Sequence, residues 1–242
     1  MGSVFRISLS LMAQITPKVI AFDAYGTLLD VYSMGVLAER LFPGQGQALC
    51  VLWRDRQIEY TRLITMSDPS GSRHYQSFWD LTIAALRFSC KRLAIQLEPN
   101  HETQLMGQYA KLDAFPECHA TLNQIKQAGI AMAVLSNGNS EMLLGALKAN
   151  HLDTLLDRVI SVDEVRQFKV SPASYGLLTT HFDCATSDIL FVSSNAWDVI
   201  GAGWFGLNTF WVNRANLPFE EIGPKPTYTG ANLNDVLAAL AA

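Results

Sequence analysis

Cysteine is scarce and scattered in this 242-residue chain, and Cys50, Cys90, Cys118 and Cys184 contain no C-x-x-C pair. That spacing supports neither a disulfide framework nor a thiolate metal site, and it fits small apolar thiols in a reducing compartment. Histidine is equally thin: His74, His101, His119, His151 and His181 stand apart, none with a partner at ligand spacing. Basic charge is also short, with 18 Lys and Arg against 22 Asp and Glu and a net charge of −4. No run of Lys or Arg forms a stripe, which argues against a nucleic-acid partner. Long apolar runs are missing too; nothing approaches the roughly 20 residues that span a bilayer, so no membrane partner is expected. The run 7–13 is broken by Ser8 and Ser10 and is too short for a secretory signal. Residues 1–17 are therefore expected to form a flexible N-terminal extension of a cytoplasmic protein.

What the chain does have is apolar sequence in short runs. Hydrophobic residues make up 49% and charged residues 17%, a balance that suits a globular enzyme and excludes extensive disorder. Segments 19–22, 131–135, 158–161, 189–192 and 209–212 are apolar or β-branched without alternation, the pattern of strands buried on both faces of a parallel sheet. Between and after them, 116–128, 140–150, 172–182, 196–205 and 234–242 carry helical spacing, with Gly129 as a stop and Pro172 near a start. Strand alternating with helix predicts an α/β fold with a Rossmann-like, doubly wound parallel sheet. The stretch 32–112 holds no convincing strand. It predicts amphipathic helices at 48–66, 74–95 and 102–112, with a Ser-, Pro- and Gly-containing loop at 67–72. The expected organisation is a catalytic core of 18–31 plus 113–242, with 32–112 as a helical cap inserted after the first strand.

Polar residues cluster where the predicted strands end, and each cluster has two readings. In Phe22-Asp23-Ala24-Tyr25-Gly26-Thr27-Leu28, a strand delivers a carboxylate into a turn that Gly26 permits. A lone Asp there would cap the turn, but the whole string favours a nucleophile. Ser136-Asn137-Gly138 offers a hydroxyl and a carboxamide for an anion, or ordinary turn chemistry. Lys169, six residues before Tyr175, is either a surface lysine or a counter-ion to carboxylates at the sheet edge. In Ser193-Ser194-Asn195-Ala196-Trp197-Asp198, Asn195 and Asp198 cap a helix, position a water, or do both. Shared placement at one sheet edge is what makes the set specific.

The strings FDAYGTL, LWRDRQIEY, LSNG, FKVSPASY and FVSSNAWD, in this order and with a helical insert after the first, resemble the haloacid dehalogenase superfamily. Within it they are most similar to the L-2-haloacid dehalogenases, over nearly the whole of 19–229. The resemblance implies a small halogenated carboxylic acid as substrate, no metal and no organic cofactor, and a homodimer. Asp23 would attack C2 of an L-2-haloacid, expel halide with inversion, and form an aspartyl ester that water hydrolyses to a D-2-hydroxy acid. Thr27, Lys169 and Tyr175 would hold the nucleophile, and Asp198 would activate the water with Lys169, Ser193 and Asn195. Ser136 and nearby backbone amides would bind the substrate carboxylate, and Arg54 and Asn137 would cradle the halide. Ala24, Tyr25, Phe78 and Trp197 would complete the substrate site, with Trp53 as a further wall. Val170 stands where family members usually carry Pro, which predicts a slightly looser placement of Lys169. A Mg-dependent phosphatase of the same superfamily is the nearest alternative. It would normally have an acid at Tyr25 and another near Ser193 and Ser194. A binding protein that keeps the fold without turnover is the other, and the joint presence of Asp23, Lys169 and Asp198 argues against it.

Overall fold

Val19–Phe22 (β1) is apolar and buried at all four positions, as a strand covered on both faces must be. A computed structural model describes residues 16–241. Most of the expected extension lies outside these residues; of its end, Thr16 is exposed and Pro17 is buried.

β1 is the centre of a parallel sheet. It pairs on one side with Ala131–Ser136 (β2) and on the other with Ile189–Ser193 (β4). Arg158–Ser161 (β3), Asn208–Val212 (β5) and Tyr228–Gly230 (β6) extend it to the order β3-β2-β1-β4-β5-β6. The chain runs outward from β1 to β3, then returns to the far side of β1 with β4. That reversal opens a crevice at the carboxyl ends of β1 and β4, where ligands bind in such sheets. Register aligns Phe22 with both Val134 and Val192, so Asp23, Ser136 and Ser193 reach the same edge.

The helices that cover the sheet are Cys118–Gln127 (α5), Ser140–Ala149 (α6), Pro172–Phe182 (α7), Ala196–Phe205 (α8) and Asn234–Ala241 (α9). Four more lie between β1 and α5: Met34–Leu41 (α1), Gly46–Ser67 (α2), Phe78–Arg92 (α3) and Pro99–Tyr109 (α4). The long α2 packs against α1 and α3. The chain leaves and rejoins the core through adjacent segments: Asp30 N–H donates to Asp113 O (2.8 Å), and Phe115 N–H to Leu28 O (2.9 Å).

Three local features differ from expectation. α1 was not anticipated, because its eight residues bury only Met34 and Ala38. β6 has three residues and no buried position, too little to register as an apolar run. The helix expected from His74 starts instead at Phe78, where the Ser77 hydroxyl accepts the Asp80 N–H. Upstream, Asp68 accepts N–H bonds from Ser70 and Arg73, which holds that segment as a loop.

Candidate active site

Asp23 leaves β1 with its N–H bonded to Val192 O at 2.9 Å. The chain then turns at Gly26, whose φ of +93° is a conformation that side chains other than glycine's resist. This turn brings Thr27 back, so its hydroxyl donates to Asp23 Oδ2 at 3.0 Å. Asn195 Nδ2, at the start of α8, donates to the same oxygen at 2.9 Å. Lys169 Nζ donates to Oδ1 at 3.0 Å. The carboxylate is thus fixed by three donors from three parts of the chain, and it is 5% exposed.

Behind it lies a second carboxylate. Asp198 is fully buried on the first turn of α8; its Oδ2 accepts from Lys169 Nζ (2.9 Å) and Ser193 Oγ (3.1 Å), and its Oδ1 from Tyr175 OH (2.7 Å). Burial lifts the Asp198 pKa to about 6; Lys169 opposes that rise and Asp23 adds to it. Burial alone would depress Lys169, but Asp198 and Asp23 outweigh it and hold the ammonium above its ordinary pKa. Tyr175 is pushed well above the phenol range by burial and by Asp198, so it stays a donor. Two expectations change here. Tyr175 holds Asp198 and not Asp23, because its hydroxyl, on α7, donates to the Asp198 carboxylate on the first turn of α8. Lys169 is not loosely placed: it engages both carboxylates, and its N–H donates to Asn137 Oδ1 at 2.9 Å.

Above Asp23 is a narrow cleft lined by Asp23, Tyr25, Arg54, Ile58, Thr61, Phe78, Ser136, Asn137, Asn195 and Trp197. Arg54 Nη2 donates to Asn195 Oδ1 (3.2 Å) and Tyr25 O (3.3 Å), which links the inserted helix α2 to the nucleophile's own partner. With Asn137 Oδ1 taken by the Lys169 N–H, what that side chain has left to offer a ligand is its NH₂. Ser136 Oγ accepts the Gly138 N–H at 3.1 Å. Tyr25 packs on Phe78 and Tyr109, with ring centroids 5.7 and 5.5 Å apart. Ala24 is buried in the turn, and its carbonyl accepts the Leu28 and Leu29 N–H groups. Thr27, Lys169, Tyr175, Ser193 and Asp198 are absent from the cleft wall. Trp53 faces α3 instead of the cleft, donating to Thr82 O at 2.8 Å.

Sequence reasoning missed Ile58 and Thr61, although Arg54, Ile58 and Thr61 at i, i+4 and i+7 form one helix face. It also missed two supports of the nucleophile turn. Ser194 donates from Oγ to Gly26 O (2.7 Å) and from N–H to Thr27 Oγ1 (2.9 Å). Arg214 lies 3.6 Å over the Phe115 ring and donates to Glu117 (2.6 Å) and Thr27 O (3.0 Å). No local motif flags Arg214, which only the fold brings to that turn.

Chemically, the site presents a shielded carboxylate to a small molecule, with cationic and amide donors facing it across the cleft. A divalent cation fits poorly: it needs several oxygen ligands, and the space between the two carboxylates is taken by the Lys169 ammonium. Among the described residues, no group of three or more His, Cys, Asp or Glu side chains could hold a metal ion.

The haloacid dehalogenase-like hydrolase model matches residues 17–206. (S)-2-haloacid dehalogenase 1 of Pseudomonas sp. (strain CBS-3) is 42% identical over 199 residues, covering 82% of this chain and 86% of the relative. The L-2-haloacid dehalogenase RSc1362 superposes with a TM-score of 0.91 at 48% identity, over 93% of this chain and 98% of that one. The Xanthobacter autotrophicus L-2-haloacid dehalogenase with chloropropionic acid covalently bound gives a TM-score of 0.84 at 29% identity, over 94% and 99%. With its Rossmann-type sheet, its strand-end aspartate and these matches, the chain belongs to the haloacid dehalogenase-like hydrolases.

Proposed function

We propose that this chain is an (S)-2-haloacid dehalogenase, converting L-2-haloacids to D-2-hydroxy acids through an ester on Asp23. The observation that carries this reading is the single Lys169 ammonium shared by Asp23 and Asp198. Its charge balances one carboxylate placed to attack carbon and a second placed to act on water.

Oδ1 of Asp23 has one donor where Oδ2 has two, so Oδ1 keeps the more available lone pair. It attacks C2 opposite the halogen; the C2–O bond forms while the carbon–halogen pair departs with the halide, inverting C2. Arg54 and the Asn137 NH₂ receive the growing negative charge. Ser136 and backbone amides of the Ala24 turn bind the substrate carboxylate, while Tyr25, Phe78 and Trp197 exclude water around C2. Water then adds to the Asp23 carbonyl carbon and gives its proton to Asp198, assisted by Ser193 and Asn195. Collapse of the adduct releases the hydroxy acid, whose oxygen takes that proton, and the water's second proton passes to solvent, which restores the Asp23 carboxylate.

Residues 32–112 serve as the cap over this cleft, on the core of 18–31 and 113–242. That assignment is supported by Arg54 reaching Asn195 from α2. The protein works as a cytoplasmic homodimer. Four free cysteines and the exposed apolar side chains Val36, Val51 and Met66 on α1 and α2 support this.

The test is halide release from racemic 2-chloropropionate, with and without a chelator. Release of about half the halide, unaffected by chelator, is expected from attack on one enantiomer. Phosphate release from phosphomonoesters that depends on Mg²⁺, with no halide release, would replace this reading by the phosphatase one.

A further inference from the structure

Gln57 has no role in the mechanism above, yet it is 1% exposed and lies one turn along α2 from Arg54. Its carboxamide makes contacts in every direction. Oε1 accepts from Arg54 Nη1 at 3.2 Å. Nε2 donates to Thr82 Oγ1 on α3 at 2.6 Å and to Tyr109 OH on α4 at 3.0 Å.

The orientation of this amide is forced. The Thr82 hydroxyl gives its proton to Phe78 O at 2.6 Å, so towards Gln57 it can only accept. Gln57 must then turn its NH₂ to Thr82 and its carbonyl oxygen to Arg54. Nη2 of the same guanidinium is held by Tyr25 O and Asn195 Oδ1. A continuous chain therefore runs from Thr82 through Gln57, Arg54 and Asn195 to Asp23 Oδ2. It joins two helices of the insertion to the nucleophile.

We infer that Gln57 is a positioning residue, whose carboxamide, oriented by Thr82 and Tyr109, aims the Arg54 guanidinium at the departing halide. The inference rests on the dehalogenase reading. A guanidinium without this acceptor keeps its charge but loses its fixed direction. Stabilisation of the leaving group depends on that direction, because the donors must already lie where charge develops. Binding of the substrate carboxylate involves other residues, and hydrolysis of the ester meets Gln57 only indirectly, through Arg54 and Asn195, so it should depend on Gln57 less than halide departure does.

The experiment separates the two half-reactions by single turnover, with 2-chloropropionate and 2-bromopropionate as substrates. Gln57→Met keeps the volume and removes the acceptor. It is expected to slow ester formation by about tenfold to a hundredfold, the loss of one hydrogen bond to a charged group. Ester hydrolysis should slow less than ester formation, KM should stay near its original value, and chloride release should suffer more than bromide release, since the poorer leaving group needs more help. Thr82→Val, one step further along the chain, should produce the same pattern more weakly, and it gives the answer if Gln57→Met does not fold. Equal slowing of both half-reactions, or an unchanged ester-forming burst in either folded variant, overturns the inference. Absence of halide release from the unaltered protein overturns the dehalogenase reading itself.

Discussion

The Lys169 ammonium lies 3.0 Å from Asp23 Oδ1 and 2.9 Å from Asp198 Oδ2, so one buried cation balances two buried carboxylates. Lys169→Met strands two like charges in a site that excludes water. Breaking such a group typically costs about 3–5 kcal/mol of stability, and losing a donor on the reacting group about 10²–10³ in kcat. The stability loss should shrink in acid, because one orphaned carboxylate takes a proton and the repulsion ends. Thermal melts at about pH 5 and about pH 8 test this, and equal shifts at both would contradict the shared-cation account.

Asp198 is lifted to about 6, mainly by burial. A general base must be unprotonated, so ester hydrolysis should rise with pH through about 6 and level off above it. Below that value the rate should fall about tenfold per pH unit. Asp198→Asn removes the base and should leave the protein esterified at Asp23, visible as added mass on the intact chain. Free hydroxy acid forming at the original rate in that variant would remove Asp198 from the mechanism.

Tyr175 donates to Asp198 Oδ1 at 2.7 Å, which favours the carboxylate and holds its pKa down against burial. Tyr175→Phe should let that pKa climb, moving the acid limb of kcat to higher pH while KM stays constant. A residue that held only the nucleophile would change ester formation and leave the limb where it was. The pH profile therefore decides between the observed partner and the one expected from sequence.

Much of this site was legible before folding was known. Five strands were recognisable because buried parallel strands are short, apolar and unalternating, and the polar groups of the site sit where those runs stop. Arg54 was found through the string around it, since an amphipathic helix by itself offers no reason to single out one arginine. The partners of each group were not legible. Tyr175 and Lys169 share a motif, yet whether the tyrosine meets Asp23 or Asp198 depends on how α7 packs against α8. Gln57 was invisible for a related reason: a glutamine on a helix usually faces water, and only α3 and α4 bury this one. α1 and β6 escaped notice because each buries too little to leave a periodic signal.

Gly201 in α8 tests how tightly that packing sets the chemistry. A methyl group at its α-carbon would lie 2.5 Å from Tyr175 OH and 2.6 Å from Val170 Cγ1, closer than atoms approach without displacement. Alanine is favoured over glycine inside a helix by about 1 kcal/mol. Overpacking a filled core costs about 1–3 kcal/mol, so Gly201→Ala should destabilise on balance. It should also push the tyrosine hydroxyl off Asp198 and shift the acid limb of kcat as Tyr175→Phe does. Because that hydroxyl is the nearest obstacle, adding Tyr175→Phe should relieve part of the strain. The double variant should then melt higher than the sum of the single losses predicts. Strict additivity would mean that Val170, and not the Tyr175 hydroxyl, is what the glycine makes room for.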